Sequence, residues 1–137
     1  MQRFLKSERV SSQKVISALY SKGNFSLYEP PFQFGWIYVE PIAGANCQVL
    51  IVSSKRKLKS SVDRNRQKRQ LRELYRLSKD PLLSFLAENQ ISIALSINYV
   101  GVEPLLWAQH DAIFKNAISK ITRAVKKNYS GSFPVAH

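Results

Sequence analysis

Six cations fall within residues 64–76, and a chain carrying them has to fold so that they stay out of its core. Advancing about 100° per residue along a helix places Arg64, Asn65, Lys68, Arg69, Arg72 and Arg76 on one arc of roughly 140°. Gln67, Leu71, Leu74 and Tyr75 share a neighbouring arc. The spacing predicts a two-faced helix, its apolar side seated on other structure and its cations turned toward solvent or a polyanion. Arg66 falls behind the arc, near Glu73, where it serves a second contact or a salt bridge. Ser60 and Ser61 precede the helix and Asp63 lies in its first turn, in keeping with N-capping and with the positive end of the helix dipole. Lys79 closes the last turn, and Pro81 disfavours α geometry at Asp80, so the helix is expected to stop by about there.

Residues 55–79 hold eleven cations and two acids, Asp63 and Glu73, so +9 of the chain's formal +12 is concentrated there. Solvated faces ordinarily mix signs. Repulsion within a one-sign cluster needs an offset, which makes this segment a footprint for nucleic acid or another polyanion. Lys55, Arg56 and Lys57 either belong to the footprint or flank a strand edge. The cations Lys115, Lys120, Arg123, Lys126 and Lys127 either bind as well or only keep a last helix soluble.

At 137 residues and 45% apolar composition the chain is long enough for one domain with its own core, expected over residues 1–128, with a flexible tail at 129–137. The single cysteine, Cys47, excludes an intrachain disulfide and lies in an apolar run where a buried, inert thiol is expected. No apolar stretch approaches the roughly 20 residues of a membrane span. The charged opening, Met1 to Val10, lacks the apolar region of a signal peptide, so a cytoplasmic chain is expected, with no membrane and no obligate protein partner.

Residues 11–21 read as a short helix, with Val15, Ile16, Leu19 and Tyr20 at helical spacing and Lys22-Gly23 as its stop. A first strand falls at 26–29, ahead of Pro30-Pro31. Phe32, Phe34, Trp36 and Tyr38 then alternate with smaller residues, the period of a strand with one aromatic face. That face is open to two uses, core packing or the stacking of unpaired bases. A turn at 41–46 leads to a Val/Ile-rich strand at 48–53 and a basic connection at 54–59. Residues 82–88 form a partial helix or a covering loop, 91–98 a strand with Ile91, Ile93, Leu95 and Ile97 on one face, and 104–128 a long helix with the stripe Phe114, Ile118, Ile121, Val125. The order α-β-β-β-α-β-α gives an α+β two-layer domain, its sheet covered by helices on one side.

No protein active site is visible in this pattern. His110 and His137 are far apart, no His/Cys cluster has metal-ligand spacing, and no Gly-rich phosphate loop occurs. Glu73 sits among cations that pull a carboxylate's pKa down, the wrong direction for a general acid.

The run Lys55-Arg56-Lys57, Val62-Asp63-Arg64-Asn65-Arg66, Lys68-Arg69, Leu71-Arg72-Glu73 and Tyr75-Arg76 resembles the signature of the bacterial ribonuclease P protein component. There a basic strand end leads into an Arg-Asn-Arg helix. The order of elements matches over residues 3–128, and Lys22-Gly23 matches the close of the family's first helix. The resemblance implies a two-layer fold like the second domain of ribosomal protein S five, with a left-handed crossover through the Arg-Asn-Arg helix. It implies the protein subunit of a ribonucleoprotein endonuclease that removes the 5′ leader of precursor tRNA, with catalysis in the RNA subunit and Mg²⁺ bound mainly by RNA phosphates. It further implies that Arg64, Asn65, Arg66, Lys68, Arg69 and Arg72, with Lys55, Arg56 and Lys57, contact the catalytic RNA. A cleft between the first helix and the sheet would hold the leader. Ile16 and Tyr20 stand where the family's first helix usually offers aromatics, and Tyr38 aligns with a strand aromatic of the cleft. Charge and fold alone also suit a structural RNA-binding protein of ribosomal or assembly type, or a binder of DNA or anionic membrane.

Overall fold

The computed structural model describes residues 9–10, 13–20, 24–40, 46–52, 60–101 and 107–128. The turn at 41–45, the basic run Lys55-Arg56-Lys57, the Lys22-Gly23 helix stop and the tail from 129 on lie outside the described residues. The elements are α1 (Gln13–Leu19), β1 (Phe25–Glu29), β2 (Phe32–Tyr38), β3 (Cys47–Val52), α2 (Ser61–Ser78), α3 (Asp80–Glu88), β4 (Ile93–Tyr99) and α4 (Trp107–Asn128). The four strands form one sheet in the order β1-β2-β4-β3. β1 pairs antiparallel with β2 and β2 antiparallel with β4, whereas β3 and β4 run parallel. Parallel neighbours cannot be joined by a tight turn, so the chain crosses over between them through α2 and α3.

Strand alternation divides the sheet into two unlike faces. Phe32, Phe34, Trp36 and Tyr38 of β2, Ile93, Leu95, Ile97 and Tyr99 of β4, and Cys47 and Val49 of β3 join Leu71, Leu74 and Tyr75 of α2, Leu82 and Leu86 of α3, and Phe114, Ile118, Ile121 and Val125 of α4 in the main core. The aromatic face is therefore a packing face. Phe32 meets Phe114 edge-on with ring centroids 5.3 Å apart, and Phe34 meets the same ring at 5.6 Å. His110 packs against Phe32 and Tyr99 at 6.0 and 5.7 Å, a packing role on the core's margin. Cys47 is buried in this core, as its apolar run predicts.

The other face carries a second, smaller core. Val15 and Leu19 of α1 pack there on Ile37, Val39 and Ala94, with Ile16 and Leu50 at the margin. Helices thus cover both sides of the sheet, in contrast to the one-sided cover expected from the sequence. The reason lies in Ile37 of β2, Val39 just past its end and Ala94 of β4, which are apolar too and need a cover of their own. Arg9 and Val10 run parallel to β3 beside Val49, with Val10 N donating to Val49 O at 3.1 Å, which carries Val10 into this core.

The element order also departs from expectation by one helix. Residues 80–88 form α3, with Pro81 in its first turn. A proline there loses no intrahelical hydrogen bond and has the φ that a helix needs, so the residue that stops α2 also starts its successor. Lys120 Nζ of α4 reaches Glu29 Oε2 of β1 at 2.8 Å, tying the helix layer to the outer strand.

Phe34 has no exposed surface and touches two aromatic rings, so Phe34→Ala is expected to lower stability by about 3–5 kcal/mol in a denaturant titration. Tyr28→Ala, on the same hairpin but exposed, is expected to change it by no more than about 0.5 kcal/mol.

Candidate nucleic-acid interface

α2 begins where Ser60 caps it: its side chain accepts a hydrogen bond from Asp63 N at 3.4 Å. Gln67, Leu71, Leu74, Tyr75 and Ser78 are buried, and this row fixes how the helix is turned about its own axis. The cations follow from that rotation. Asn65, Arg66 and Arg69 are exposed, and Arg64, Lys68 and Arg72 are half-buried at the flanks of the outward face. Arg66 lies 3.9 Å from Asp63 across one turn with both side chains half exposed or more, a pairing worth little in water.

Arg76 departs from the predicted arc. Its guanidinium donates from Nε to Glu73 Oε2 at 2.9 Å and from Nη2 to the other carboxylate oxygen, a two-pronged pairing. The hydrogen bond from Arg76 holds the Glu73 carboxyl below its ordinary range and raises the guanidinium's own pKa. The outward-facing cationic surface therefore runs from Arg64 to Arg72, and Arg76 is neutralised locally. At Arg72 partial burial lowers the pKa, and the neighbouring charges of Arg9 and Arg69 lower it further. Three guanidiniums gathered from the N-terminal segment and from α2 make a site of repulsion that a phosphate would relieve. Arg9 has no sequence signal of its own, because only the pairing of its segment with β3 carries it to α2.

The second feature is a groove on the α1 face of the sheet, about 160 Å³ in volume. Three cross-strand rows explain it. Ile37, Ala94 and Gln48 form the row that α1 covers. Beyond the helix's end come Ser26, Gly35, Ser96 and Leu50, and then Tyr28, Gln33, Asn98 and Val52. On β2 and β4, small and amide side chains thus replace apolar ones where the cover stops. At Gly35 a Cβ would lie 3.1 Å from Ser96 Oγ, so the glycine keeps the groove deep. Leu19 and Tyr20 close one wall, and Asn24 Nδ2 donates to Leu19 O, fastening the end of α1 to the start of β1.

Of the residues expected in a cleft between α1 and the sheet, Tyr20 is 65% exposed at the groove, and Ile16 is half-buried against the smaller core. Tyr38 lies elsewhere. It is 3% exposed on the opposite face of the sheet, where its hydroxyl donates to Val125 O of α4 at 3.2 Å. Strand periodicity makes this unavoidable, since Tyr38 shares a face with Trp36 and Phe34. Tyr28 is the exposed aromatic that the sequence reading passed over: 59% exposed, on the groove side, opposite Gln33 in the hairpin. Its alternation with Leu27 on the strand before Pro30-Pro31 was the available signal.

Among the described residues no group of three or more His, Cys, Asp or Glu is placed to hold a metal ion. Among them too, no helix is long and apolar enough to cross a membrane.

A family model described as Ribonuclease P matches residues 4–98. The fold is similar to that of the Staphylococcus aureus RNase P protein, with a TM-score of 0.60 at 18% identity over 88% of this chain and 97% of that one. It is also similar to the RNase P protein from Thermotoga maritima, with a TM-score of 0.54 at 15% identity over 90% of this chain and 99% of that one. At such identities these likenesses speak to the fold. No curated protein matches the sequence significantly. The family model spans well over half of the chain, including the whole of α2 and its cationic face, and the chain accordingly belongs to the bacterial ribonuclease P protein family, with a role in ribonuclease P.

Proposed function

We propose that this chain is the protein subunit that binds the catalytic RNA through α2 and holds the 5′ leader of precursor tRNA in the groove beside α1, promoting endonucleolytic removal of the leader. The observation that carries this reading is the rotation of α2, whose buried underside turns Arg64, Asn65, Arg66, Lys68, Arg69 and Arg72 outward. Planar guanidinium forks suit phosphate oxygens, and the amide of Asn65 suits a sugar or base edge. Lys55, Arg56 and Lys57, which lie outside the described residues, are further cations of the same proposed contact. The groove supplies what the helix lacks, a recess with an aromatic wall at Tyr20, suited to a base that is not paired.

Catalysis belongs to the RNA in this reading. A hard divalent cation favours several oxygen ligands, and the two acids of α2, Asp63 and Glu73, each stand beside a guanidinium, Arg66 and Arg76. Mg²⁺ is left to RNA phosphates, and the protein contributes binding and orientation. The parallel pairing of β3 and β4 requires a crossover, which in this reading is the left-handed connection of a sheet of the ribosomal protein S five domain-two type.

Reconstitution with a bacterial ribonuclease P RNA at low Mg²⁺ is expected to show leader removal stimulated by the protein, with no cleavage by the protein alone. Binding without stimulation would assign the chain to structural RNA-binding proteins instead. Tyr20→Ala is expected to weaken precursor tRNA more than mature tRNA, by roughly 1–3 kcal/mol for one stacked base. Equal losses on both would remove Tyr20 from the leader site.

Arg64→Ala and Arg69→Ala are each expected to weaken affinity for the RNA subunit and to reduce the slope of log K against log salt by about one. Unchanged affinity and slope in both variants would overturn the assignment of α2 as the docking surface.

A further inference from the structure

α2 carries two acids, Asp63 and Glu73, and each stands one turn from a cation that it pairs with. The two pairs differ. Asp63 and Arg66 make a single contact at 3.9 Å, and the acid has a second reason for its place, because a carboxylate in the first turn meets the positive end of the helix dipole. Glu73 lies in the second half of Ser61–Ser78, where the dipole offers a carboxylate nothing. Its two oxygens instead accept from Nε and Nη2 of Arg76, the forked geometry in which a guanidinium and a carboxylate hold each other best. The hydrogen bond from Arg76 also keeps the Glu73 carboxyl below its ordinary range, so the acceptor stays charged.

Helix geometry makes this pairing consequential. At about 100° and 1.5 Å per residue, Arg76 lies roughly 20° from Arg69 around the axis and roughly 10 Å further along it, and Glu73 lies roughly 40° from Arg69 on the other side. By rotation alone Arg76 belongs to the middle of the outward face and would lengthen the cationic row. The pair puts a locally neutral end there instead. The face accordingly changes character along its length: residues 64–72 run without an acid, and then Glu73 and Arg76 hold each other.

Affinity for polyanions of any kind grows with the number of phosphates neutralised, whereas discrimination among them needs an element that disfavours the wrong partner. A carboxylate set against phosphate is such an element. We propose that Glu73 bounds the RNA-docking face: it holds the Arg76 guanidinium and ends the row with a negative charge, withholding one phosphate contact from unmatched polyanions and so making α2 selective for the RNA that fits Arg64 to Arg72. This rests on the reading of α2 as the docking surface. Glu73 acts through Arg76, as a positioning residue, and its signature is the salt dependence of binding to unrelated RNA.

The test uses the full chain and compares dissociation constants, at several salt concentrations, for the ribonuclease P RNA and for a blunt RNA duplex of unrelated sequence, which offers the groove no unpaired base. Glu73→Gln is expected to tighten the duplex roughly fivefold or more at about 0.1 M salt and to steepen its slope of log K against log salt by about 0.9, the share of one added phosphate. Binding of the ribonuclease P RNA is expected to change by less than about twofold, because that RNA sets no phosphate at Arg76. Glu73→Ala leaves Arg76 no acceptor at that position; it is expected to act in the same way, and decides the matter if the glutamine carbonyl still holds the guanidinium. Arg76→Ala is expected to leave affinity and slope for the ribonuclease P RNA unchanged, and the Glu73→Gln, Arg76→Ala double variant to return the duplex to within about twofold of wild type. A duplex affinity that neither Glu73 variant changes overturns the inference, as does a gain that persists in the double variant. Weaker binding of the ribonuclease P RNA by Arg76→Ala, with a shallower slope, overturns it too, since Arg76 would then be a contact. Arg64→Ala, measured alongside, separates the two readings. If it leaves affinity and slope for the ribonuclease P RNA unchanged, the docking surface and this inference fall together; if it weakens both while the Glu73 variants change nothing, this inference falls alone.

Discussion

The orientation of α2 on the sheet is the constraint from which the rest of the interface follows. Burying Leu71, Leu74 and Tyr75 favours one rotation of the helix, at about 1.5–3 kcal/mol for each fully buried large apolar side chain. Repulsion between neighbouring surface cations is smaller, on the order of 1 kcal/mol at about 4 Å in water. Packing therefore decides the rotation, and the cations go where the packing sends them. The one place where charge crowding is not set by α2 alone is Arg72, where the N-terminal segment brings in Arg9 through its pairing with β3.

The sheet itself divides the labour. One face is apolar from end to end and holds α2, α3 and α4. The other is graded: apolar at Ile37 and Ala94 under α1, small at Gly35 and Ser96, and amide-bearing at Gln33 and Asn98. That gradient is written at every second position of two antiparallel strands, so a single hairpin slip of one residue would invert it. Cationic face and groove are thus set by two different devices, helix rotation and strand register.

Much of this was legible in the residues. The boundaries of α2, β2 and α4 and the buried stripe Phe114, Ile118, Ile121, Val125 follow from strong periodicity, and the cationic arc follows from the same count. The errors have separate physical causes. Likeness to a family places Tyr38 in the cleft, whereas its alternation with Phe32, Phe34 and Trp36 places it on the packing face. Periodicity alone turns Arg76 outward with the other cations, and its pairing with Glu73, three residues earlier, takes up its charge. The cover of α1 on the opposite face depended on Ile37, Val39 and Ala94, three modest apolar positions interleaved with a louder aromatic pattern. Arg9, Gln33 and Asn98 carry no local signature, because their placement comes from strand pairings between segments that the sequence does not put side by side.

The most direct test of α2 as the docking element is chemical footprinting of lysines on the protein, free and bound to the ribonuclease P RNA, because the surface holds two separate groups of cations to compare. Lys68 on α2 is expected to become protected from acylation on binding, while Lys126 and Lys127 at the end of α4 keep their reactivity. Protection of Lys126 and Lys127 with Lys68 left open would contradict it, since the RNA would then be seated on the other helix.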